Sequence, residues 1–213
     1  MKPYFVKTPS LIQKMFFNYC WKINTNKKEI YLTFDDGPIP KITPWVLTVL
    51  EKYNAKATFF CVGENIKKHP EIFQNIVKKR HSIGNHTYNH LQGWKTNTKK
   101  YVNNVEKTNE IIKSKIKNPS NSKLFRPPHG KLKPSQTKFL LQNEYKIIMW
   151  DVLSADFDST ITGKKCVKNV INTASEGSII VFHDSEKAFP NLKYALPKVL
   201  EYFAKKGYCF KAL

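Results

Sequence analysis

The 213-residue chain is short of arginine, of acids and of paired cysteines, and each shortage excludes a class of protein. Among 36 Lys and Arg residues only Arg80 and Arg126 are arginine, so lysine carries the formal charge of +20 against 16 Asp and Glu. Nucleic-acid readers depend on the planar guanidinium for bidentate base contacts, whereas a lysine surface gives only non-specific attraction to polyanions. With no recognition motif beside the charge, no specific nucleic-acid partner is expected. Cys20, Cys61, Cys166 and Cys209 include no C-x-x-C pair and no histidine at structural-zinc spacing, which favours buried free thiols; the sequence does not choose between these and disulfides. No apolar run approaches the ~20 residues that cross a bilayer, and Lys2, Lys7, Gln13, Lys14 and Asn18 interrupt the first twenty positions. A spanning helix is excluded, and a cleavable signal peptide is not expected.

What is present is enough for a core: 41% hydrophobic and 13% aromatic residues, without repeats or a Gly/Pro/Ser-rich linker. Short apolar runs alternate with amphipathic stretches. Strands are expected at Ile30–Phe34, Ala57–Val62, Ser82–His86, Lys123–Phe125, Lys146–Trp150, Ser178–Phe182 and Tyr208–Lys211. Helices are expected from an N-cap at Thr43 to Tyr53, from Glu64 to Arg80 with a break at Pro70, and from Lys99 to Lys117. Three more are expected near Pro134–Asn143, Lys165–Thr173 and Leu192–Lys206. Repeated strand-then-helix order predicts an α/β fold with a parallel sheet, and about seven such units predict closure into a barrel. Residues 29–213 form this domain. Residues 1–28 stand outside the alternation and carry Phe5, Leu11, Ile12, Met15, Phe16, Phe17, Tyr19 and Trp21, which predicts an N-terminal helix packed on the barrel. Lysines flanking that apolar set make peripheral membrane contact the second reading.

Chemistry-bearing residues gather at strand ends. Thr33-Phe34-Asp35-Asp36-Gly37-Pro38 places two carboxylates in a turn behind an apolar strand, where a mere turn needs only one. His86-Thr87-Tyr88-Asn89-His90 spaces two imidazoles to chelate one ion, and one carboxylate would complete a two-His, one-Asp set. Phe125-Arg126-Pro127-Pro128-His129-Gly130 uses arginine where lysine is the rule, as expected of a guanidinium holding an acid by two hydrogen bonds. Asp151, Asp156 and Asp158 follow the fifth strand, and His183-Asp184 end the sixth. Asp35, Asp36, His86, Arg126, Asp156 and His183 all fall just past strand carboxyl ends, where barrel enzymes assemble their sites. His69, His81 and Arg80 read as surface or turn residues.

The segments TFDDGP, HTYNH, RPPHG, SADF and IIVFHD, in that order over about residues 30–184, resemble the polysaccharide deacetylases of carbohydrate esterase family 4, the NodB homology domain. The resemblance implies a distorted (β/α)7 barrel that uses one divalent metal ion, commonly zinc and sometimes cobalt, to remove acetyl groups from N-acetylated glycans. Position by position it implies Asp36, His86 and His90 as metal ligands, Asp35 as general base and Arg126 as the residue holding that base. It also implies His183 as general acid, Asp156 as its orienting carboxylate and the His129 backbone N–H as an oxyanion donor. The chain departs from the family pattern in having His129 for tyrosine, Leu153 and Phe157 in the fourth motif, and Val181 for leucine, all on the substrate side. The implied partner is an acetylated glycan, of the peptidoglycan or chitin type. An O-acetyl esterase acting on xylan or another glycan, and a non-catalytic glycan- or polyanion-binding protein, are the alternatives. The expected compartment is the cytoplasm, with the cell envelope as the alternative that a wall substrate favours.

Overall fold

Period-2 alternation along short apolar strands sorts this chain into an inside and an outside. The structure is a computed structural model that describes residues 4–116 and 123–213. Its strands are β1 (Glu29–Asp35), β2 (Ala57–Cys61), β3 (Ser82–Asn85), β4 (Lys123–Phe125), β5 (Tyr145–Ile147), β6 (Val152–Leu153), β7 (Ile179–His183) and β8 (Cys209–Phe210). They pair parallel in the order β5-β4-β3-β2-β1-β7-β6, with β8 added to the start of β1. The helices are α1 (Ser10–Met15), α2 (Ile42–Lys52), α3 (Gly63–Lys68), α4 (Pro70–Lys78), α5 (Thr98–Lys115), α6 (Pro134–Gln142), α7 (Gly163–Ile171) and α8 (Phe189–Lys205).

On β1 the even positions Ile30, Leu32 and Phe34 join the large core formed with α2, α7 and α8. Phe34 stacks on Phe59 of β2 and Phe182 of β7, at 5.1 and 6.1 Å between ring centroids. The odd positions Tyr31, Thr33 and Asp35 therefore face the concave side of the sheet. Phe60, Val181 and His183 share that side, because β1 is in register with β2 and β7 so that Asp35 pairs with both Phe60 and His183. The concave face is apolar toward the strand starts and polar at their carboxyl ends.

The sheet curls without closing: among the described residues no strand pair joins β5 to β6. The N-terminal segment fills that seam. Leu153 N–H donates to the Val6 carbonyl and Thr8 N–H to the Asp151 carbonyl, while Cys20 N–H donates to the Ile147 carbonyl and the Cys20 carbonyl accepts from Met149 N–H. Lys22 then bridges to Ser178. Edge groups that would otherwise lie open are thus satisfied by the chain itself. The expected N-terminal helix is present as α1, but none of its residues is buried, and Leu11, Met15, Phe16 and Phe17 stay exposed.

Several expectations need local correction. Thr43 does not cap α2: Lys41 precedes the helix at φ 66°, and Thr43 instead accepts from Ile39 N–H and donates to Asp184. The Glu64–Arg80 stretch does divide at Pro70, into α3 and α4. Lys117, the expected end of α5, lies outside the described residues. The expected strand to Trp150 ends at Ile147, and β6 was not anticipated, since a two-residue strand has no readable period. His81 is buried rather than on the surface; it accepts from Ala57 N–H, and burial with the nearby Lys56 and Lys79 pushes its imidazole down to about 4. Cys20, Cys61 and Cys209 are free thiols, and only Cys61 and Cys166 among the four cysteines are buried.

Candidate metal centre and active site

The β1 register delivers Asp35 to the concave face, and the following turn swings Asp36 over it at φ 86°. The turn is held from behind by Asp184, the residue after β7. Its carboxylate accepts Gly37 N–H at 3.0 Å and the Thr43 hydroxyl at 2.5 Å. A Cβ on Gly37 would meet Asp184 Oδ2 at 2.0 Å, so only glycine lets these segments approach. Burial, with Asp36 nearby, raises the Asp184 carboxyl to about 8.

His86 follows β3, and its Nδ1–H donates to the Arg126 carbonyl at 2.7 Å, which leaves Nε2 unprotonated toward Asp36. Burial, and then the adjacent His90, push its imidazole down to about 3, so the ring is neutral. His90 occupies the left-handed region at φ 56°. The two Nε2 atoms stand 3.8 Å (His86) and 3.4 Å (His90) from Asp36 Oδ1. One ligand atom from each residue lies within 4.8 Å of the others. Asp36 Oδ1 is buried with no hydrogen-bond partner, although buried carboxylate oxygens ordinarily have one. An imidazole pair facing an orphaned carboxylate oxygen fits a divalent cation, and two nitrogens with one oxygen suit a borderline transition metal. The His86 bond to the Arg126 carbonyl is the kind of outer contact that orients a ligating imidazole.

Arg126 is fully buried, and its guanidinium sits 4.1 Å over the Phe60 ring. The two-bond fork on one acid expected from the sequence does not form. NH1 donates to Asp35 Oδ1 and Thr33 Oγ1, both at 2.7 Å, while Nε and NH2 donate to the Ile148 and Met149 carbonyls. Arg126 thus ties Asp35 to the ends of β1 and β5. Burial lowers its pKa, opposed by Asp35.

His183 closes the opposite wall. Asp156 is fully buried and takes the His183 Nδ1–H on Oδ1 and the His183 backbone N–H on Oδ2, both at 2.8 Å. Burial disfavours the imidazolium, but the Asp156 carboxylate, with Asp36 and Asp35 behind it, outweighs that and raises the pKa to about 9. At neutral pH the ring is charged, with Nε2 left for the cleft.

These residues share one cleft of about 560 Å³, lined by Asp35, Asp36, His86, His90, His129 and His183. Its apolar side is Leu153, Val181, Phe157 and Trp150, so the residues that depart from the family pattern do line it. The Phe157 ring meets His183 edge to face at 5.1 Å. His129 stands at φ 57° with its ring 4.9 Å from His90. Asp36, Thr87, His90, His129 and Ala155 all hold positive φ beside the cleft, a backbone state that costs of order 1–3 kcal/mol per residue. The other non-glycine positive-φ residues, Lys41, Asn54, Arg80 and Glu144, flank helix ends. Asp151 and Asp158 stay out of the cleft: Lys7 and Ser178 donate to Asp151, and Tyr4 donates to Asp158.

Tyr4, Trp150, Lys131, Ser185 and Lys187 also line the cleft without having been anticipated. Tyr4 arrives through the seam and packs on Phe157 at 5.6 Å. Nothing in its local sequence points there. Trp150 and Lys131 adjoin motifs already recognised, and that adjacency was the available signal.

The polysaccharide deacetylase family model matches residues 22–148. A curated relative from Bacillus cereus, named peptidoglycan-N-acetylglucosamine deacetylase, is 34% identical over 191 residues, spanning 89% of this chain and 88% of its own. A crystal structure of a peptidoglycan N-acetylglucosamine deacetylase superposes with a TM-score of 0.87 at 34% identity, covering 97% of this chain and 95% of that one. The structure of Bacillus subtilis PdaA, a family 4 carbohydrate esterase, gives 0.80 at 28% identity over 95% of this chain and 85% of its own. Family model, full-length relative and superposed fold agree, and the chain belongs to the polysaccharide deacetylase family.

Proposed function

We propose that this protein is a zinc-dependent hydrolase that removes acetyl groups from N-acetylglucosamine units of a peptidoglycan- or chitin-type glycan. The observation that carries the reading is the orphaned Asp36 Oδ1 facing the His86 and His90 imidazoles, with the Arg126-held Asp35 and the Asp156-held His183 on either side. A divalent ion held by Asp36, His86 and His90 would polarise an acetyl carbonyl and acidify a water. Arg126 occupies Asp35 Oδ1, so Oδ2 is the atom that takes the proton from the attacking water. His183, kept cationic by Asp156, delivers a proton from Nε2 to the departing nitrogen, which is a poor leaving group without it. The backbone N–H of His129 would donate to the developing oxyanion. Leu153, Val181 and Phe157 shape the apolar pocket for the acetyl methyl and the sugar edge, and exclude water there.

The relatives named for peptidoglycan support an N-acetyl substrate, and so does the charged His183, because an alkoxide leaving an O-acetyl ester needs an acid less. The test is acetate release by the zinc- or cobalt-loaded protein from N-acetylglucosamine oligomers, peptidoglycan fragments and acetylated xylan, beside a chelated control. Release from xylan alone would replace the reading by an esterase. Asp35→Asn is expected to lower turnover at least ~10³-fold with metal still bound, and His86→Ala to lose both. A wall polymer as substrate would put the protein at the cell envelope rather than in the cytoplasm, which fractionation decides. Exposed Leu11 and Phe17 beside Lys14 support peripheral contact with an anionic membrane. Flotation of the full chain with anionic vesicles, lost in Leu11→Ser/Phe17→Ser, is the expected result.

A further inference from the structure

Among the described residues only seven large hydrophobic side chains are exposed; five lie between Phe5 and Phe17, and of the remaining two Trp94 adjoins the cleft wall. Its indole is 60% exposed yet fixed in place, since Nε1–H donates to the Leu132 carbonyl at 2.8 Å. The helical turn that carries it, Gly93–Lys95, is pressed onto the loop after β4, where a Cβ on Gly93 would meet the Lys131 carbonyl at 2.4 Å. The fully buried Gln136 clamps the two together. Its Nε2 donates to the Gly93 and Thr96 carbonyls, and its Oε1 accepts Lys133 N–H. A fold that commits a buried amide to holding a large exposed aromatic ring gains nothing from that exposure by itself, because the ring would be better buried.

Contacts lead continuously from the candidate metal site to this ring. The His129 ring lies 4.9 Å from His90, and its Nε2 is 3.2 Å from Gln92 Nε2, two residues before Trp94. Lys131 lines the cleft and places its ammonium 4.9 Å from the Trp94 ring centroid. A pyranose presents an apolar C–H face to an aromatic plane and hydroxyls at its rim to donors such as Lys131. We propose that Trp94 is a stacking subsite for a second sugar unit of the glycan whose reacting unit lies over Asp36, His86 and His90. The inference rests on the glycan deacetylase reading and adds to it the residue that holds a neighbouring sugar of the polymer.

The test compares single N-acetylglucosamine and its pentamer as substrates of the metal-loaded wild type, Trp94→Ala and Trp94→Phe. The pentamer-over-monomer ratio of kcat/KM is expected to fall about tenfold in Trp94→Ala, through KM, and to stay within about threefold of wild type in Trp94→Phe, which keeps a stacking plane. An unchanged ratio, or an equal loss on both lengths, overturns the subsite while leaving the deacetylase reading standing. Pentamer binding, followed by intrinsic fluorescence, separates the two claims. If wild type releases no acetate but binds the pentamer about tenfold more tightly than Trp94→Ala does, the subsite holds and the deacetylase reading falls. Absence of both release and binding overturns both.

Discussion

At the scale of single residues the site is a set of paired titratable groups, and the pairing dictates pH behaviour. The His183 pKa is raised from 6.5 to about 9, so its protonated form contributes stability that is fully present below pH 6.5 and is lost as pH rises through about 9. The same protonation makes it an acid catalyst, so turnover is expected to fall on the alkaline side. Asp156→Asn removes the carboxylate responsible and moves that limb to lower pH. A kcat/KM profile whose alkaline limb stays in place in the variant would take the proton from another group. Asp35, Asp36, His86, His90, Arg126, Asp156 and His183 were legible in the sequence because each sits next to a strand end in a short motif. Thr33, Asp184 and Tyr4 were not, because what they touch is far along the chain. The Asp184 to Gly37 bond spans 147 residues and the Tyr4 to Asp158 bond 154. Arg126 shows the limit of motif reading. Its chemical task was apparent, but its fully buried setting and its bonds to two backbone carbonyls were not.

At the scale of elements, two junctions position the chemistry. The turn after β1 is pinned to α2 and β7 by Asp184 through Gly37 and Thr43. Asp184→Ala should loosen the turn and weaken zinc affinity about 10–100-fold with the fold retained, which competition against a chromogenic chelator measures. The second junction is the seam between β5 and β6. The chain begun at Asn24 would lose Trp21 from the core and every seam hydrogen bond made by residues 6 to 22. A loss of at least about 3 kcal/mol is expected, seen as a fall of roughly 6–12 °C in Tm. An unchanged Tm would mean that the seam is not held by this segment. Periodicity located most elements because their apolar faces are broad. It failed at β6, which owes its two residues of ladder to a partner on β7 rather than to its own pattern. It failed at the start of α2 as well, because a Thr-Pro pair reads as a cap until the buried acid that claims the threonine is known.

At the scale of the whole molecule, charge and closure remain. A net charge of +20 spread over lysines creates a field that attracts anionic polymers at long range without recognising them. Raising the ionic strength shortens the screening length from about 30 Å at 0.01 M to about 8 Å at 0.15 M. On anionic wall fragments kcat/KM is therefore expected to fall with salt, while on neutral N-acetylglucosamine oligomers it stays level. Equal slopes for both substrates would show that the charge plays no part in encounter. The parallel α/β architecture followed from strand-helix alternation, whereas the open seam did not, since counting units predicts how many strands a barrel has but not whether its edges meet. That seam also bears on the order of assembly. The segment that fills it is made before the strands it docks on, yet Lys7 must reach Asp151 across 144 residues of chain. Residues 6 to 22 have no docking site until β5, β6 and the start of β7 exist. Residues 6 to 22 thus find their place only after strands made later in the chain, and contacts of such long sequence separation make seam closure a late event in folding.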